Sequence, residues 1–145
     1  MLGKAIAACI VGACALSPFA PSAMAGEVVV RVTGVRAAGG SIGCVLFPSM
    51  AGFPMEGVNV PMVWLQASDG AVCRFGDVPA GVYAIAVVHD LNGNQRVDTN
   101  FVGIPTEPWG VSNNVRPLMR APKFDEAAIR VAPDQTLTVD VKIAK

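Results

Sequence analysis

The densest run of chemistry-bearing side chains is His89-Asp90-Leu91-Asn92-Gly93-Asn94-Gln95-Arg96-Val97-Asp98-Thr99-Asn100. Asp90, Asn92 and Asn94 place side-chain oxygens at every second position around Gly93, and Asp98 adds a carboxylate further on. Alternate oxygens on a tight turn are how a short loop wraps a hard cation, and the Arg96 carbonyl is a natural extra ligand. The chemistry implied is calcium binding by Asp90, Asn92, Asn94 and Asp98, with Glu107 adding a carboxylate if the chain folds back. The pattern departs from an EF-hand loop, because Gln95 stands at the sharp-turn glycine position and Phe101 at that of the bidentate glutamate. Two Asp and two Asn make a weakly charged site, for which dissociation constants of about 10⁻⁴ to 10⁻³ M are expected. The same residues also read as an Asn-Gly turn whose Asp and Asn side chains bond their own backbone. Spacing leaves both readings open.

Downstream, Glu107, Trp109, Asn113, Asn114 and Arg116 form a candidate ligand-binding surface. An exposed Trp stacks on a sugar ring or an apolar partner while neighbouring amides hydrogen-bond it. The plainer role of Trp109 is to plug the loop onto the domain, and that of Arg116, Arg120 and Lys123 is a solvated basic face. His89 is the only histidine, and one His builds no zinc site without sulfur or carboxylate help. A hydrolase using His89, Asp90 and Glu107 is the enzymatic alternative. Against it, Gly-x-Ser-x-Gly is absent and no strand-turn-helix elbow surrounds Ser112. The expectation is therefore a protein that is not an enzyme.

These residues need a frame to hold them. Valine-rich alternation at 27–33, and a second run at 41–47 after Gly39-Gly40, read as a hairpin. Further strands are expected at 62–67, 71–75, 82–88, 128–131 and 136–143, with 82–88 apolar on both alternating faces and so placed in mid-structure. Residues 48–60 are Pro- and Gly-rich loop, 76–81 a Pro-Gly turn, and 124–127 a single helical turn. Residues 90–123 carry too many Gly and Pro for a long helix or strand, and such a segment in a compact domain is often where function sits. About seven short strands predict an all-β antiparallel sandwich with one long irregular loop.

The N-terminus bounds the setting. Lys4, an unbroken apolar run at 5–16, Pro18, Pro21 and then Ala23-Met24-Ala25 have the layout of a secretory signal peptide over residues 1–25,. Cleavage after Ala25 leaves a single domain, 26–145, in the periplasm or outside the cell. The alternative is lipidation at Cys14 in Val11-Gly12-Ala13-Cys14. The apolar run is shorter than the roughly 20 residues a membrane span needs. Residues 26–145 carry 10 basic and 11 acidic side chains, which gives no pull toward nucleic acid or an anionic membrane. Cys44 and Cys73 remain beyond the signal, as one disulfide in an oxidising compartment or as two buried thiols.

Several runs of the chain together resemble a family of exported bacterial proteins, domain of unknown function 2141. They are Leu46-Phe47, Val78-Pro79-Ala80-Gly81-Val82-Tyr83, His89-Asp90-Leu91-Asn92-Gly93-Asn94, Asp98-Thr99-Asn100-Phe101-Val102-Gly103-Ile104-Pro105, Glu107, Gly110, Ser112-Asn113-Asn114 and Pro122-Lys123-Phe124-Asp125-Glu126-Ala127. The resemblance covers essentially all of 26–145. It implies an exported location and a β fold, with no reaction and with the partner, an envelope or extracellular ligand or protein, unspecified. The chain departs from the family at Gln95, where such members often have Gly, and at Leu118-Met119-Arg120-Ala121. The Val-Pro-Ala-Gly-Val-Tyr run also resembles prealbumin-like sandwiches, an analogy of fold alone. The function expected is a binding or interaction module, calcium-stabilised through 90–98, with a purely structural envelope protein as a further alternative.

Overall fold

The computed structural model describes residues 24–145, so nearly all of the expected signal peptide, with Cys9 and Cys14, lies outside the described residues. Eight strands follow in order: β1 Gly26–Thr33, β2 Ser41–Phe47, β3 Met62–Gln66, β4 Val72–Val78, β5 Gly81–Asp90, β6 Trp109–Val111, β7 Ile129–Val131 and β8 Thr136–Lys142. The expected helical turn is α1, Phe124–Ala127. A three-stranded sheet runs β4-β1-β8 and a larger one β3-β2-β5-β6, with β7 also paired to β5. The pairings are antiparallel except β1 with β8. The chain is thus the all-β sandwich its alternation predicts.

One pairing differs from expectation. β1 and β2 are not a hairpin, because they lie in opposite sheets. The connection 34–40 is long enough to arch across the roughly 10 Å between packed sheets. By crossing, each Val- and Ile-rich strand gains a partner on both sides and an apolar face against the other layer. Asp69 holds the start of the arch, its Oδ1 accepting the Gly34 and Val35 N–H groups at 2.9 and 3.3 Å.

The inter-sheet core is built by period-two alternation. Val28, Val30 and Val32 of β1 meet Ile42, Cys44 and Leu46 of β2, Cys73 and Phe75 of β4, Ile85 and Val87 of β5 and Val141 of β8. Each fully buried side chain of this kind contributes about 1.5–3 kcal/mol. Cys44 and Cys73 form a disulfide tying β2 to β4, and hence sheet to sheet. In the chain-entropy model a loop of this size is worth about 3–4 kcal/mol.

β5 is apolar on both faces because it has two cores to fill. Its outward residues Ala84 and Ala86 join Phe47, Val111 and Ala127 in a second cluster on the outer face of the large sheet. One end of that face is roofed by Phe53, edge-on to Phe47 at 5.3 Å and to Phe124 at 5.9 Å. The other end, at Trp64, Val88 and Trp109, borders a cavity. β6, inside the segment expected to be loop, edges the same face. It also bridges to Ala144, with N···O distances of 3.0 and 3.1 Å, which joins the edges of the two sheets.

Candidate functional site

The loop after β5 is closed by its own side chains. Asp90 is fully buried. Its Oδ1 accepts the N–H groups of Gly93 and Asn94 at 2.7 and 3.2 Å, and its Oδ2 that of Gln95 at 2.7 Å. Asn92 Oδ1 accepts the Asn94 N–H at 3.0 Å and Asn94 Oδ1 the Arg96 N–H at 2.9 Å. The amide nitrogens of Asn92 and Asn94 then both donate to Asp98, at 2.6 and 3.0 Å. The four residues singled out as cation ligands do converge. What they converge on is one another and the backbone, as in Asx-turns. A cation coordinated here would need both Asn amides turned over to present oxygen. Among the described residues no three His, Cys, Asp or Glu side chains group as metal ligands. Gln95, at φ 57°, takes the left-handed conformation that glycine adopts without penalty.

Glu107 is buried as well. Its two oxygens accept the Leu91 N–H at 2.8 Å and the Asp98 N–H at 3.3 Å, pinning the start and end of the loop. His89, one residue before Asp90 on a strand, points to the opposite face. It is fully buried, its Nε2 hydrogen-bonds the Gly39 carbonyl at 2.8 Å, and its Nδ1 has no partner. Among the described residues His89, Asp90 and Glu107 make no hydrogen bond to one another.

The amides after β6, on exposed residues, are likewise bonded to the fold. Asn113 Nδ2 donates to the carbonyls of Glu126 and Ala128, both at 3.0 Å. Asn114 accepts the Lys142 N–H at 2.8 Å and donates to the Asp140 carbonyl at 3.3 Å. Ser112 is buried, donates to the Ala127 carbonyl and accepts the Ile85 N–H at 2.9 Å. Ser112-Asn113-Asn114 is therefore a polar staple that fastens the large sheet, α1 and β8 together. Arg116 donates to the carbonyls of Trp109 and Ala144 at 2.9 and 2.7 Å, and its Cζ lies 4.5 Å from the Trp109 ring centroid. Arg120 and Glu126 pair at 2.6 Å. The Arg120 bond and the Lys123 backbone N–H hold the Glu126 carboxyl down to about 2. Of the expected ligand surface, it is Trp109 that presents a face to a cavity.

That face looks into a trough of about 630 Å³ on the outer side of the large sheet. Register places four residues in one row across four strands. Trp64 pairs with Gly43, Gly43 with Val88, and Val88 with Trp109. With strands about 4.8 Å apart, the two tryptophan Cα positions lie about 14 Å from each other. A Cβ on Gly43 would lie 2.6 Å from the Trp64 Cη2 and Cζ3 atoms. Glycine thus lets the indole rest against the β2 backbone. Trp64 Nε1 donates to Met62 Sδ at 3.0 Å, fixing the ring in that pose. The next row, Met62, Val45, Ala86 and Val111, continues the apolar floor. The closed loop contributes Gln95, Arg96 and Val97 to the lining, and the 48–61 connection contributes Glu56.

Trp64 and Gly43 carry no motif and were not singled out by type or spacing, while Gln95 and Arg96 drew notice only as backbone positions of the cation loop. The available signal was alternation: in 62–66, Met62, Trp64 and Gln66 share the face opposite Val63 and Leu65, so a large aromatic falls on the outward side of a strand.

A family model described as uncharacterized protein conserved in bacteria, DUF2141, matches residues 30–139. No curated protein and no solved structure matches the chain.

Proposed function

For a chain that belongs to the DUF2141 family of bacterial proteins, we propose the role of an exported, non-enzymatic binding module. Its ligand is a small molecule with a flat apolar face, taken up in the trough between Trp64 and Trp109. The observation that carries this reading is the row Trp64-Gly43-Val88-Trp109, in which small floor residues leave space and one indole is held flat before any ligand arrives. Holding an aromatic in its bound pose removes an ordering cost from binding. A trough of about 630 Å³ lies within the range of small-molecule sites. The 90–98 loop is scaffold in this account, since Asp90 and Glu107 hold Gln95, Arg96 and Val97 at the trough. Calcium remains the reading the spacing suggests, but the hydrogen bonds from Asn92 and Asn94 to Asp98 favour a loop that closes without it.

The chain's two tryptophans both line the trough, so indole emission reports on it directly. The test is a titration with 4-nitrobenzyl alcohol, a neutral planar ring that quenches indole. Saturable quenching is expected, with affinity at least tenfold weaker in Trp64→Ala, a loss of about 1.4 kcal/mol. Gly43→Val, whose new side chain collides with the Trp64 ring, should weaken binding similarly while circular dichroism and disulfide content stay unchanged. Equal affinity in wild type and both variants contradicts the proposal.

A further inference from the structure

We propose that the trough's ligand is a neutral saccharide, an inference that rests on the trough reading above and names its ligand class. Three observations select it. First, the platform is flat: Trp64 lies against Gly43 and is pinned by Met62, leaving the other ring face open for stacking. A pyranose ring offers such a platform a face of C–H groups with hydroxyls at its edge.

Second, the polar groups at the trough are of both kinds. Glu56 accepts, Arg96 donates, and the Gln95 amide does both,. Among the described residues none of these three side chains makes a hydrogen bond or salt bridge within the protein. They contrast with Asp90, Glu107 and Asn114, whose polar atoms are taken up by the fold. A hydroxyl donates and accepts, so one sugar edge satisfies acid, guanidinium and amide together.

Third, the charges of Glu56 and Arg96 cancel. A fatty acid or an aromatic acid would leave Glu56 facing its carboxylate, and a cationic amphiphile would leave Arg96 facing its head group. An uncharged ligand meets neither repulsion.

Isothermal titration of the folded domain with cellotriose, maltotriose and tri-N-acetylchitotriose tests the class, with 4-nitrobenzyl alcohol as the trough control. At least one trisaccharide is expected to bind. Arg96→Ala and Glu56→Gln should each weaken it at least fivefold, and by at least three times more than they weaken 4-nitrobenzyl alcohol. Trp64→Ala should weaken both, and Trp64→Phe should restore part of each. If none of the three sugars binds while the alcohol does, the saccharide assignment is overturned and the trough stands. If sugar binds equally well to wild type, Arg96→Ala and Glu56→Gln, the rim argument fails. If neither probe binds, both inferences fall together.

Discussion

The loop that follows β5 and the trough beside it are built from opposite material. The loop holds the densest collection of oxygen side chains in the chain, and its principal acceptors are engaged internally. Asp90 takes three backbone N–H groups, Glu107 takes two, and Asp98 takes two side-chain amides. The trough is floored by Val45, Ala86 and Val88, with Gly43 beneath the Trp64 ring, residues with no chemistry of their own. Yet it is the trough that leaves an indole face, a guanidinium and a carboxylate without internal hydrogen-bonding partners. A suggestive polar spacing marks where the backbone needs satisfying, whereas open recognition groups mark where the fold has finished with them.

This contrast yields a graded series of expectations. Asp90→Ala removes the acceptor of the Gly93 and Gln95 N–H groups and should cost about 2 kcal/mol in urea unfolding,. Because the loop carries Arg96 to the trough, ligand affinity should fall with it; a loop that unfolds alone, leaving global stability intact, would break the contrast. Asn114→Ala removes the link to Asp140 and Lys142 and should cost about 1–2 kcal/mol, with 4-nitrobenzyl alcohol affinity unchanged. Weaker binding in that variant would make the staple part of the site.

Glu126 offers a smaller, pH-resolved test. Its folded carboxyl sits at about 2, below the unfolded value of about 4.3. The stabilisation is therefore present above the unfolded value and is lost as pH falls toward 2. Because the group is exposed, the effect is modest. The difference in melting temperature between wild type and Glu126→Gln should be constant above pH 5 and shrink steadily toward pH 2; a difference independent of pH would remove the carboxylate from the account.

The smallest expected effect is that of calcium. Added at 10 mM, it should leave the melting temperature unchanged. A site with a dissociation constant of about 1 mM would instead add about 1.4 kcal/mol by mass action, a shift of several degrees. Such a rise, abolished by Asp98→Ala, would restore the loop as a cation site.

Much of the frame was legible in the sequence. Alternation located β1, β2 and β8 nearly to the residue, the two-sided apolar run marked β5 as central, and α1 fell where a helical turn was expected. Pairing was less legible, because Gly39-Gly40 announces a turn but does not say whether the chain folds back or crosses to the other layer. β6 was hidden in a Pro- and Gly-rich segment, where three residues are too few to show a period. The site was mostly illegible for a physical reason: Gly43 matters by what it lacks, and Trp64 matters through a register that exists only once four strands are side by side. Asn113 and Asn114 stood out by type, but side-chain type alone does not separate an amide that clamps a carbonyl from one that meets a ligand.

The central claim is that recognition lies on the outer face of the large sheet while the polar loop supports it. Mapping backbone amide chemical shifts during 4-nitrobenzyl alcohol titration tests it residue by residue. The account predicts perturbations concentrated at Gly43, Val45, Trp64, Ala86, Val88 and Arg96, with Asn92, Asn113 and Asn114 still. Perturbations centred on Asn92, Asn94 and Asp98 with the sheet face silent would contradict it.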